Sequence, residues 1–178
     1  VLSGLPASSD CSVSSDGRRM LYTRRTDTAN LWRVDLDRPG SPPVAVTTGT
    51  AYLGSPHVSR DGEWVSVTRG TSTPELFRMG VAGGPLTPIG DGKNGSWSPD
   101  GKRFAFVSDR NGKMQAWVGN ADGQGARVVS ADEVGNTEVA WLADGRIAWQ
   151  TKDARNYLIH DMETGREESL LPKGAPGW

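Results

Sequence analysis

Short apolar runs of three or four residues, each closed by a polar turn holding glycine, recur along the chain, and a helical period nowhere replaces them. The clearest stretch is Ser96 to Val129, SWSPDGKRFAFVSDRNGKMQAWVGNADGQGARVV. Phe104–Val107, Gln115–Val118 and Ala126–Val129 read as short antiparallel strands. Asn111-Gly112 reads as a two-residue hairpin, because both central residues of such a turn need positive φ. Asp100-Gly101 and Asp122-Gly123 punctuate the chain on either side.

The same phrase is repeated. Asp-Gly pairs stand at Asp16-Gly17, Asp61-Gly62, Asp100-Gly101 and Asp144-Gly145, spaced by 45, 39 and 44 residues. CSVSS, PHVSR, GSWSP and VAWLA precede them; RRMLYT, EWVSVT, KRFAFV and RIAWQ follow. A third element (NLWRVDL, ELFRMGV, QAWVGNA, YLIHDM) and a fourth (VAVTT, PLTPI, ARVVS, EESLL) complete each copy. Four copies of four strands at this period predict an all-β fold, a β-propeller of four-stranded antiparallel blades. The repeats are placed at 11–56, 57–96, 97–140 and 141–178, with inner strands near Gly54–Val58, Gly95–Ser98 and Thr137–Trp141. Blades pack face to face, so their central strands should be apolar on both sides, as Phe104–Val107 is. Trp97, Phe106, Trp117, Trp141 and Trp149 are expected to be largely buried between blades.

Composition supports a turn-rich chain: 23 Gly and 11 Pro among 178 residues, with hydrophobic content of only 35%. Lys plus Arg is 20 against Asp plus Glu 21, a net charge of −1 that predicts neither nucleic-acid binding nor membrane insertion. Cys11 is the single cysteine, so no intramolecular disulfide forms, and with two histidines, His57 and His160, no metal-ligand spacing or cofactor motif emerges. Val1 in place of methionine suggests processing or excision. No G-x-S-x-G or His-Glu-x-x-His motif is present, and no catalysis is expected. Asp109-x-Asn111-Gly112 and Asp91-x-x-Asn94-Gly95 echo calcium loops without the distal glutamate, and read instead as hairpin turns.

The third copy, WSPDGKRFAFVSDRNGKMQAWVGNADG, resembles the TolB-like, WD40-like "PD40" propeller repeat; the others are looser, with Ser-Ser, Ser-Arg and Leu-Ala before Asp-Gly. The resemblance implies a propeller of six to eight blades, of which this chain would be part. The alternative is four blades that close alone or with a second copy. It further implies a non-catalytic recognition or scaffold module, periplasmic or otherwise extracytoplasmic, that binds a protein, peptide or glycan. The rival reading is the propeller of a prolyl-oligopeptidase-like serine peptidase. Self-association through open blade edges is a further expectation.

Cations follow the second strand of each copy: Arg24, Arg25, Arg69, Arg110, Lys152 and Arg155. Propeller geometry would gather them on one face, a candidate site for an acidic peptide or anionic glycan. Asp35, Asp37, Asp122, Asp161 and Glu163 would fall on the other.

Overall fold

A computed structural model describes residues 11–13, 20–22, 28–38 and 40–171. The described residues form β-strands and turns, with no helix. Blade I contributes two hairpins: β1 (Cys11–Val13) with β2 (Met20–Tyr22), and β3 (Trp32–Arg33) with β4 (Val44–Ala45). Blade II runs β5 (Leu53–Val58), β6 (Trp64–Arg69), β7 (Glu75–Gly80) and β8 (Thr87–Asp91). Blade III runs β9 (Lys93–Trp97), β10 (Arg103–Ser108), β11 (Gln115–Asn120) and β12 (Arg127–Val128). Blade IV runs β13 (Val134–Trp141), β14 (Ile147–Thr151), β15 (Tyr157–His160) and β16 (Glu167–Ser169). Within blades II, III and IV the strands pair antiparallel in chain order. A repeat frame starting at 57, 97 and 141 falls inside or at the end of the first strands, whereas the sheets begin at Leu53, Lys93 and Val134.

The core lies between blades. Leu53, Val65, Val67, Phe77 and Met79 of blade II pack on Leu31 and Val46 of blade I. Leu76 and Ile89, from blade II, meet Trp97, Phe104 and Phe106 of blade III. Ala105, Val107, Ala116 and Val118 of blade III meet Val134, Val139, Ile147 and Trp149 of blade IV. Successive strand residues point to opposite faces, so β10 sends Phe104 and Phe106 one way and Ala105 and Val107 the other. All four are buried. Trp97 meets Phe104 edge-on at 4.9 Å between ring centroids, a favoured aromatic geometry. Trp97 and Trp149 are buried as expected, but Trp117 and Trp141 are only partly so, at the periphery of their clusters.

The turns differ from expectation. Gly62, Gly101, Gly112, Gly123 and Gly145 each donate the backbone N–H to the carbonyl three residues back. In each of these turns the glycine has positive φ and the Asp or Asn before it does not. The connections are therefore four-residue turns with glycine in the last position, not two-residue hairpins. Asn111-Gly112 is one of them, since β10 ends at Ser108 and β11 begins at Gln115. The aspartate serves the turn through its side chain. Ser98 Oγ donates to Asp100 Oδ1, and Asp100 Oδ1 also accepts from the Lys102 N–H at 3.1 Å. Ser59 and Asp61 repeat the arrangement in blade II. These bonds favour the ionised carboxylate, and they hold Asp61 and Asp100 below the usual carboxylate range.

The inner strands of blades II, III and IV each carry a bulge. The register shifts between Gly54 and His57 in β5, between Lys93 and Ser96 in β9, and between Val134 and Val139 in β13. Ser55 and Asn94, inside the first two bulges, have φ of 47° and 52°. Ser55 Oγ donates to Asn94 Oδ1 at 3.2 Å, joining adjacent blades at the same depth. Asp91-x-x-Asn94-Gly95 is thus the link from β8 into a bulged β9, not a hairpin turn.

Candidate functional site

The β6–β7, β10–β11 and β14–β15 loops share one face with the links β8–β9 and β12–β13, because consecutive antiparallel strands alternate their ends. Between blades II and III this face opens into a cleft of about 500 Å³. Thr71–Glu75 form one wall, Asp91–Lys93 the back, and Val107–Arg110 with Met114 the other wall. Gly92 has φ of 146°, and a Cβ there would lie 2.7 Å from the Val107 carbonyl oxygen. Glycine at this link is what lets the chain enter β9 close against β10.

Among the described candidate cations, Arg110 alone lines the cleft. Its guanidinium lies 4.9 Å from the ring centroids of both Phe106 and Trp117, within cation–π range. Nη2 donates to the Asp91 carbonyl at 2.6 Å, and Nε donates to Ser108 Oγ at 3.2 Å. Arg69 donates to Glu75 at 2.7 Å and covers the Phe77 ring at 4.1 Å. Arg69 and Glu75 are also register partners across the β6–β7 hairpin. Lys152 donates to Glu133 at a second cleft of about 390 Å³, where Asp132, Asp153 and Glu167 also gather. That lysine holds the Glu133 carboxyl below its ordinary range. The Arg155 backbone N–H donates to Asp153, closing the β14–β15 turn. Arg24 and Arg25 lie outside the described residues.

The cations thus divide. Arg110 and the Arg69–Glu75 pair flank the first cleft, whereas Lys152 belongs to another, one blade away. Arg69 and Lys152 are neutralised by local acids, and Arg110 is engaged by a carbonyl, a hydroxyl and two rings. What the cleft offers a ligand comes from residues that the cationic pattern does not mark. The hydroxyls of Thr71, Ser72 and Thr73, the carboxylates of Asp91 and Asp109 and the Lys93 ammonium have no side-chain partner among the described residues. Their signal in the sequence is position, since they stand in a second-to-third-strand loop and in the link to the next blade.

The acids assigned to the other face stabilise their own turns. Asp35 pairs with Arg38 at 3.3 Å, Asp122 accepts from the Gln124 N–H, and Asp161 accepts from the Glu163 and Thr164 N–H groups. Among the described residues no three His, Cys, Asp or Glu side chains come together as a metal site would require.

No protein-family model matches the chain. It is 32% identical over 112 residues to the "Tol-Pal system protein TolB" of Anaeromyxobacter dehalogenans, covering 61% of this chain and 26% of that protein. Over 83 residues it is 31% identical to the "Uncharacterized peptidase YuxL" of Bacillus subtilis, covering 46% of this chain and 13% of the relative. The chain spans about a quarter or less of the length of these curated relatives. Its fold superimposes on the crystal structure of TolB from Acinetobacter baumannii with a TM-score of 0.68, at 22% identity, over 82% of this chain and 38% of the other.

Proposed function

We propose that this chain, built of TolB-like β-propeller repeats, serves as a non-catalytic recognition module that holds a protein or peptide segment in the cleft between blades II and III. The observation that carries the reading is the cleft itself. It is concave, pre-formed by two packed blades, and lined by unpartnered groups of both signs beside three hydroxyls. Such a lining suits a polar segment carrying both charges better than a uniformly acidic one, because Arg69, Arg110 and Lys152 already have partners. The relative's name places that protein in an assembly, the Tol-Pal system, and by analogy the partner here is a protein met outside the cytoplasm.

The test is selection of a phage-displayed heptapeptide library on wild type and on an Asp91→Asn/Lys93→Ala variant. Peptides enriched on wild type should bind the variant at least tenfold more weakly, and weaken further as salt rises. Enrichment indifferent to both changes would place the binding surface elsewhere.

A second reading takes the chain as the propeller of a serine peptidase, and the similarity to YuxL is what favours it. A coding sequence that continues into a strand, G-x-S-x-G and helix would support this reading over the first.

A further inference from the structure

The second cleft, of about 390 Å³, lies between the β12–β13 link and the strands of blade IV. Its floor includes Trp149 of β14 and Leu158 of β15, which are partners in register. Four carboxylates surround that floor: Asp132 and Glu133 on the link, Asp153 on the β14–β15 loop, and Glu167 at the start of β16. Lys152 is the single cation in the described lining.

The four acids are not equally engaged. Lys152 takes Glu133, and Lys113 adds its charge from the β10–β11 loop. Asp153 accepts from Thr151 Oγ1 at 2.6 Å and from the Arg155 N–H, and the Arg155 charge acts on it as well. Asp132 has no partner among the described residues, and the ionisable group paired with Glu167 is the His160 imidazole, at 3.5 Å. An acidic ligand would meet this excess of carboxylates as repulsion, whereas an ammonium would relieve it.

The floor supplies a donor. Trp97 and Trp117 each give the indole N–H to a backbone carbonyl, of His57 and of Ser108, at 3.0 and 3.2 Å. Trp149 is 3% exposed, yet its Nε1–H has no acceptor among the described residues. Unlike Trp141 Nε1 it is not closed off from solvent, and Trp149 meets solvent in this cleft. A largely buried donor left unpaired is a cost that a ligand oxygen removes. The cleft therefore calls for a cation and a neutral oxygen close together, beside an apolar group. A lysine side chain holds its ammonium at the end of a long flexible stem, away from any carbonyl. In the first residue of a polypeptide, the ammonium and the carbonyl share one Cα.

We infer that the second cleft takes the amino-terminal residue of a partner chain. Its α-ammonium sits among the carboxylates, of which Asp132 and Glu167 are free of any Lys or Arg. Its carbonyl oxygen accepts the Trp149 indole N–H, and its side chain lies on Leu158. The site is independent of the cleft between blades II and III.

The probe is leucyl-glycyl-glycine amide, with a free amino terminus and in its N-acetyl form, titrated into the protein by calorimetry. The free amine should bind saturably and the acetylated peptide at least tenfold more weakly. Asp132→Asn/Glu167→Gln should weaken binding of the free amine by a similar factor. Trp149→Phe, which keeps a ring in the core and removes the N–H, should weaken it severalfold. N-acetyl-glycyl-lysyl-glycine amide, which offers only a side-chain ammonium, should bind no better than the acetylated leucyl peptide. Asp91→Asn/Lys93→Ala should leave the free amine bound as in wild type, which separates this site from the first cleft. Equal affinity for the free and acetylated leucyl peptides, a lysyl peptide that binds as well as the free amine, an Asp132→Asn/Glu167→Gln variant that binds like wild type, or no saturable binding would overturn the inference.

Discussion

Single residues in this fold are constrained by what the neighbouring strand or turn requires of them. Gly95 is the sharpest case. A Cβ at this position would sit 2.2 Å from Cε1 and Cζ of Phe104, whose ring is fully buried and cannot retreat. Gly95→Ala should therefore cost about 1–3 kcal/mol, the usual range for overpacking, read as a lowered urea midpoint. Asp100 is constrained by charge. Its folded pKa lies below the ordinary value, chiefly through the Ser98 hydroxyl and then the Lys102 N–H. A depressed carboxylate contributes stability that is full above the unfolded pKa, near 4, and is lost as pH falls through the folded value. Asp100→Asn should thus be less stable than wild type at neutral pH, with the gap closing as pH drops below about 4. A gap that stays constant down to about pH 2 would show that the carboxylate charge plays no part.

At the scale of elements, strands and turns were legible in the sequence because each is encoded locally. The apolar runs match β6, β7, β10, β11, β14 and β15, and the position shared by Val58, Trp97 and Trp141 closes three inner strands. The turn type was misread, because Asp-Gly and Asn-Gly also suit a shorter hairpin and only the placement of φ distinguishes them. The candidate cations were placed on the loop face by register, but their partners were not foreseen. Arg69 meets its own hairpin partner Glu75, while Arg110 meets a backbone carbonyl contributed by the previous blade, which no side-chain pattern announces. One turn gives a further test. In the β14–β15 connection, Thr151 and Asp153 reproduce the Ser-x-Asp pattern, but Ala154 stands where glycine otherwise would, with φ of 57°. A left-handed alanine costs roughly 1 kcal/mol, so Ala154→Gly should raise the thermal midpoint. Wild-type stability in that variant would mean that the extra backbone freedom of glycine in the unfolded chain cancels the relief.

Across the whole molecule, each apolar cluster among the described residues straddles a boundary between blades. Phe104 belongs to blade III but packs with Leu76 and Ile89 of blade II. Phe104→Ala should cost on the order of 3–5 kcal/mol and lower amide-exchange protection in both sheets together. Loss confined to blade III would show that the blades open independently. The same arrangement bears on how such a chain could be recombined. Duplication copies a sheet, whereas cooperativity resides between the facing surfaces of two neighbouring sheets, so the hereditary module and the stabilising module do not coincide. A donor blade grafted in place of β9–β12 would bring its own strands but meet a foreign Leu76 and Ile89 on one side and a foreign Val139, Ile147 and Trp149 on the other. Chimeras that transplant two adjacent blades, and so carry one interface whole, should be tolerated better than those that transplant a single blade.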